Sequence, residues 1–159
     1  MRANVTISLD GHSRSVPRGT TVAEVLDGAR GREVVAARLN GKLVDLSRPI
    51  EDDATIEPVK ADSPDGLDVL RHSTAHLMAQ AVQSLYPGTQ VTIGPTIEDG
   101  FFYDFAPPVP FTVEDLPKIE AKMRELSKAN LKVERVEVAR AVEHFADRGP
   151  ARHGAMLSV

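Results

Sequence analysis

A seven-residue stretch, Lys60-Ala61-Asp62-Ser63-Pro64-Asp65-Gly66, gathers proline, glycine, serine and charge between two regions of regular apolar patterning. Such a seam reads as a connection between folding units. It restricts the 159-residue chain to two small cores, which a chain of this length has enough surface to bury. Residues 1–61 form one expected domain, residues 67–149 a second, and residues 150–159 a tail.

In the first region Val5, Ile7 and Leu9 alternate with polar neighbours up to Asp10-Gly11, a two-residue turn followed by a short strand from Ser13 to Val16. Thr20 or Thr21 then offers an N-cap with Glu24 near the third helical position. Val22, Val25, Leu26 and Ala29 recur at helical spacing before Gly31. Strands follow over Val34 to Leu39, Lys42 to Leu46 and Thr55 to Val59, the first two joined by Asn40-Gly41, a preferred type I′ pair. One helix on one face of a small mixed sheet buries this ββαβββ pattern, which predicts a ubiquitin-like β-grasp.

The second region opens with a helical pattern, Leu67 to Leu85, closed by Pro87-Gly88. Two strands, Val91 to Ile97 and Phe101 to Phe105, join through Glu98-Asp99-Gly100 as a hairpin. The proline-rich segment from Ala106 to Pro110 is a loop. Thr112 or Asp115 caps a helix to about Asn130, with Pro117 in its first turn. Lys132 to Val138 alternates as a strand, and Ala139 to Asp147 reads as a short helix. The fold class is α+β in both halves.

Composition excludes several function classes. There are no cysteines, so disulfides, thiol nucleophiles and thiolate metal ligands are absent. The formal net charge is −4, and neither side of the seam carries a basic excess, so any nucleic-acid contact is local. No run approaches the ~20 apolar residues of a membrane helix, and no apolar signal core stands in the first twenty positions. The expectation is a cytoplasmic protein with no membrane partner.

The sharpest constellation is His72-Ser73-Thr74-Ala75-His76. Two histidines four apart on a helix lie about 40° apart, one turn above the other, so both imidazoles reach one ligand. With His72 at zero, Val69, His76, Ala79 and Gln83 share its face, and Leu67, Leu70, Leu77, Ala81 and Leu85 form an apolar stripe on the other side. On that geometry the pair is solvated, held by structural hydrogen bonds, or part of a site. Zinc takes at least three protein ligands, and Ser73 stands where a metalloprotease helix has glutamate. Only an unsupported fold-back would bring in His144 or His153. No metal ligand set is assigned. The alternative chemistry is a pair of imidazoles donating hydrogen bonds and acting as general base on a bound ester. The residues alone do not choose.

Weaker signals surround it. Gly94-Pro95 and Asp99-Gly100 are turn glycines or shapers of a ligand-facing hairpin. Phe101, Phe102, Tyr103 and Phe105 alternate, so Tyr103 faces opposite to Phe102 and Asp104, and lines a pocket or joins the core. Glu51-Asp52-Asp53 is a solvated run with no assigned function.

The segment from Arg71 through Phe105, RHSTAHLMAQAVQSLYPGTQVTIGPTIEDGFFYDF, resembles the start of the editing domain of the threonyl-tRNA synthetase family. HSTAH followed by IGP and DGFFYDF is more discriminating than any one piece. PRGTTVAEVL and RLNGKLVDLSRPI resemble the TGS domain that precedes it in bacterial members. The resemblance covers residues 1 to about 149.

It implies a β-grasp TGS domain followed by an incomplete editing domain, which in the family hydrolyses serine wrongly attached to threonine tRNA. The positions matching His72 and His76 line that editing site, and Tyr103 and Gly94 fall in the same substrate pocket. Admitting serine and excluding threonine by one methyl is worth only about 1 to 3 kcal/mol, which is why a second sieve exists. The tail from Pro150 to Val159 departs from the family. The rest of the editing domain, with a cysteine and a further histidine of its pocket, is not matched. Neither is the catalytic domain for ATP, magnesium, threonine and zinc, nor the anticodon-binding domain. The implied protein is therefore a truncated or frame-disrupted N-terminal part that cannot aminoacylate, holds no cofactor itself, keeps weak or no hold on threonine tRNA, and lacks the domain through which the family dimerises. Two other readings stand beside it: a TGS-containing RNA or partner-binding module without catalysis, and a free-standing deacylase.

Overall fold

The computed structural model describes residues 4–26, 33–92 and 94–131. The end of the first helix, the strand expected from Lys132, the helix expected from Ala139 and the tail lie outside the described residues. The chain divides into two compact units, residues 1–70 and 71–159.

The first unit begins with strands β1 (Asn4–Leu9) and β2 (His12–Pro17), paired antiparallel with Leu9 opposite His12. Asp10 and Gly11 both take positive φ, 51° and 77°, as a type I′ turn requires. Helix α1 (Val22–Leu26) starts at a reciprocal capping box. The Glu24 carboxylate accepts from the Thr21 backbone N–H at 2.7 Å, and the Glu24 N–H donates to Thr21 Oγ1 at 3.3 Å. Of the two candidate caps, Thr21 is the one used.

Strands β3 (Val34–Leu39) and β4 (Lys42–Val44) form the second hairpin through Asn40 and Gly41, again with two positive φ values, 50° and 78°. Strand β4 stops two residues before the expected Leu46, because the Asp45 carboxylate turns back to accept from the Ser47 N–H at 2.9 Å. Strand β5 (Ala54–Lys60) lies between β1, to which it is parallel, and β3. The sheet order is β2-β1-β5-β3-β4, the mixed β-grasp arrangement read from the sequence. The buried core consists of Val5, Ile7, Val22, Val25, Leu26, Ala37, Ile50, Ala54 and Ile56. Alternate residues of β1 and β5 meet the apolar face of α1 there.

The acidic run is structural. Glu51 accepts from Arg18 at 2.9 Å, and the Asp53 carboxylate caps the Thr6 N–H at 2.7 Å, one residue before β1 meets β5 at Ile7 opposite Ala54.

The seam does not remain an open connection. Helix α2 runs from Pro64 to Leu85, starting three residues before the expected Leu67. Ser63 is its cap: the Oγ accepts from the Gly66 N–H at 3.1 Å and donates to the Lys60 carbonyl at 2.6 Å. Pro64 occupies the first helical position, where no N–H is needed. A Cβ on Gly66 would collide with the Lys60 carbonyl oxygen, with its carbon at 2.7 Å. Arg38 closes the junction through a 2.5 Å ion pair with Asp65. Proline, glycine, serine and aspartate, read as linker composition, here make a helix start.

In the second unit, α2 ends at Leu85 and is stopped by Pro87 and by Gly88, whose φ is 86°. The expected hairpin forms in two pieces: β6 (Gln90–Val91) pairs with β9 (Phe105–Ala106), and β7 (Thr96–Ile97) with β8 (Gly100–Phe101). Val91 pairs with Phe105 and Thr96 with Phe101, and the ladder is interrupted before Thr96, where Pro95 has no N–H to give. Helix α3 (Asp115–Ala129) places Pro117 in its first turn and ends at Asn130 in the left-handed region, φ 47°. Asp115 accepts from both the N–H and the hydroxyl of Thr112, at 2.9 and 3.1 Å.

The buried face of α2 differs from the expected stripe. Of the expected stripe Ala81 is buried, but Leu67, Leu70 and Leu85 are 42%, 40% and 36% exposed, and Ala75, Ala79 and Val82, which lie outside it, are buried. Bulk comes mostly from outside the helix: Ala81 and Val82 pack with Ile119 of α3 among Tyr86, Phe105, Phe111, Met123 and Leu126, with Met78 added from α2 itself. With His72 at zero, Ala75, Ala79 and Val82 fall at about −60°, −20° and −80°. The histidines therefore lie along the edge of the buried face and not opposite it.

Candidate functional site

His72 and His76 stand on successive turns of α2, with their Nε2 atoms 3.0 Å apart and ring centroids 4.5 Å apart at 76°. One of the two nitrogens must carry a proton and the other a lone pair. The pKa of His76 is lowered, first by burial and then by the charge of His72. Near neutral pH His76 is thus held as the neutral imidazole, the form that accepts a proton. His72 is exposed and approachable from solvent.

The hairpin brings in the third residue. The Tyr103 ring lies 6.4 Å from that of His76, edge to face, and its other neighbour is Phe105, stacked at 5.0 Å and 17°. Strand alternation put Tyr103 and Phe105 on the same side, away from Phe102, which is 49% exposed. Gly94 completes the arrangement. A Cβ there would overlap Cδ2 and Cε2 of the tyrosine and lie 2.9 Å from its Cγ. Gly94 is required by space and not by a left-handed backbone, and it lets the ring lie flat against the opposite strand. All four candidate residues, His72, His76, Tyr103 and Gly94, come together.

Three further residues contribute that were not assigned to the site from the sequence. Phe105 backs the tyrosine, and it joins Phe111, 6.0 Å away, and through it Tyr86, at 5.2 Å, in a run of aromatic contacts that ties the site to the core. Ala75 and Ala79 are the buried residues flanking the histidines on α2. Their i, i+4 spacing beside the histidine pair was the available signal.

The arrangement offers a neutral acceptor nitrogen, a second imidazole able to donate, and an aromatic wall. Among the described residues no three histidine, aspartate or glutamate side chains converge on a common point, so the pair does not fit the closed three- or four-ligand set that zinc takes. No described helix is long and apolar enough to cross a membrane.

Residues 4–60 match the TGS domain family. The chain is 48% identical over 141 residues to the threonine–tRNA ligase of Citrifermentans bemidjiense, covering 87% of this chain and 22% of the relative. The Anaeromyxobacter dehalogenans threonine–tRNA ligase is 52% identical over 134 residues, covering 82% and 21%. For that of Pelobacter propionicus the figures are 45% over 153 residues, 92% and 24%. The chain spans under a quarter of the length of these curated relatives. It carries a TGS domain and is homologous to the N-terminal part of threonine–tRNA ligases.

Proposed function

We propose that this chain supplies the TGS domain and one half of an editing site in a threonine–tRNA ligase, where serine wrongly esterified to threonine tRNA is hydrolysed. The reading is supported by the meeting of His72 and His76 of α2 with Tyr103 of the hairpin, with Gly94 kept bare beneath the ring. His76 acts as base on the attacking water or on a ribose hydroxyl that relays its proton. His72 donates a hydrogen bond, and Tyr103 bounds the space that admits a seryl side chain. A wall fixed by ring stacking suits discrimination by a single methyl, because a packed aromatic cannot yield to the extra volume.

Attachment of threonine to tRNA, with ATP, magnesium and zinc, belongs in this reading to the parts of the relatives that this chain does not span, as does homodimer formation. A cytoplasmic location goes with it, and the macromolecular partner is threonine tRNA. A purely RNA-binding role for the first unit has less support. Arg14, Arg18 and Arg38 are each engaged by an acceptor inside the unit, the Val25 carbonyl, Glu51 and Asp65, which leaves those guanidinium groups poorly placed for phosphate.

The test is an NMR titration of the isotope-labelled chain with the non-hydrolysable seryl amide of 3′-amino-3′-deoxyadenosine. Shifts at His72, His76, Gly94 and Tyr103, larger than those from the threonyl amide, are expected. Shifts confined to residues 4–60, or equal for both amides, would refute the assignment.

A further inference from the structure

The two imidazole nitrogens that meet on α2 also define a ligand site of a different kind. The 3.0 Å separation of the Nε2 atoms is that of an N–H···N hydrogen bond. An ion that takes both lone pairs displaces the shared proton, and each ring turns to it about its broad terminal torsion. One helical turn keeps the two nitrogens within reach of neighbouring positions on a single ion. His72 is exposed, so the remaining coordination positions open to water.

We propose that His72 and His76 form a bidentate site for a divalent ion that prefers tetragonal nitrogen ligation, with water in the other positions. Among first-row ions Cu(II) binds such a pair most strongly, followed by Ni(II). The site is distinct from a structural zinc centre, because it needs no third protein ligand and none converges among the described residues. Its existence does not depend on the hydrolytic reading. Where both hold, a bound ion occupies the lone pair that His76 would use as base, and so blocks hydrolysis.

The chain has five histidines, which sets the controls. Copper sulfate is titrated into the full chain in a non-coordinating buffer at pH 7.5, and the complex is read by electron paramagnetic resonance. The variants are His72→Gln, His76→Gln and His12→Gln, the last an exposed strand residue. The expected result is one tight equivalent with hyperfine structure from two nitrogens, weakened by at least about tenfold in either α2 variant as the second ligand of the chelate is lost, and unchanged in His12→Gln. A single-nitrogen spectrum in the wild type, or undiminished affinity in His72→Gln, would overturn the proposal. Because His72 is exposed, its substitution leaves the fold intact, and circular dichroism verifies that.

Discussion

Replacing Gly94 by alanine sets two effects of opposite sign against each other. The backbone at Gly94 is not in the left-handed region, so a methyl group there would by itself stabilise by about 0.4–1 kcal/mol through the unfolded chain. The methyl, however, meets Tyr103, with Cγ at 2.9 Å and two ring carbons closer still. The ring cannot retreat without displacing Phe105, stacked 5.0 Å behind it. Overpacking of this kind costs about 1–3 kcal/mol, so the net expectation is a loss of about 1–2 kcal/mol. Gly100, on the same hairpin, supplies the control: a Cβ there meets nothing within 4 Å, and Gly100→Ala should be neutral or stabilising by up to about 1 kcal/mol. The chain has two tyrosines and no tryptophan, and Tyr86 and Tyr103 both lie in the unit from residue 71 onward. Tyrosine fluorescence during urea unfolding therefore reads this unit alone. If Gly94→Ala proves as stable as Gly100→Ala, the ring does not occupy the space assigned to it and the wall of the site is wrongly drawn.

Three further outcomes follow from the same contacts. Nine residues form the buried cluster of the first unit and three that of the second among the described residues, so the fluorescence transition should fall at lower urea than the loss of the dispersed amide NMR signals of strands β1 to β5; coincident transitions would contradict this. Thr21→Ala removes the capping box of α1 and should cost about 1 kcal/mol, seen in the amide NMR signals of the first unit's strands with the fluorescence transition unmoved. Hydrogen bonds from Thr112, Lys118 and Tyr86 hold the Asp115 carboxyl well below its usual range. A depressed folded-state pKa gives stability that is present above the unfolded value near 3.8 and lost as pH falls below it. Asp115→Asn should therefore weaken the second unit at pH 6, with wild type and variant converging as the pH drops below 3.8.

The first unit was legible in the sequence because its signals are local. Asp10-Gly11 and Asn40-Gly41 each demand positive φ at two consecutive positions, and that fixes both hairpin registers. Thr21 and Glu24 announce the helix in the same way. Where side chains have two uses, the reading failed. Ser63, Pro64 and Gly66 suit a linker and a helix start equally, and only the packing of Gly66 on the Lys60 carbonyl decides between them. The buried face of α2 was misplaced because leucines outweigh alanines in any apolar count. The structure buries Ala75 and Ala79 and leaves Leu67 and Leu70 exposed, the apolar bulk arriving from Phe105, Phe111 and α3. Of the candidate site only the local geometry was readable: helical spacing places His72 beside His76 and strand alternation separates Tyr103 from Phe102, whereas their role as a pocket came from the family resemblance alone. What spacing cannot convey is that Gly94, nine residues from Tyr103 in sequence, lies beneath its ring.

The most direct test of the hydrolytic reading is single-turnover deacylation of seryl-tRNA by the Citrifermentans bemidjiense ligase in which the matching segment is replaced by residues 1–131 of this chain. The chimera is compared with its His76→Ala form, and threonine attachment is measured in both. The account predicts that His76→Ala lowers the deacylation rate by about 10²- to 10⁴-fold, the contribution of a positioned base, with threonine attachment unchanged. Deacylation by the His76→Ala chimera at the rate of the parent chimera would contradict it.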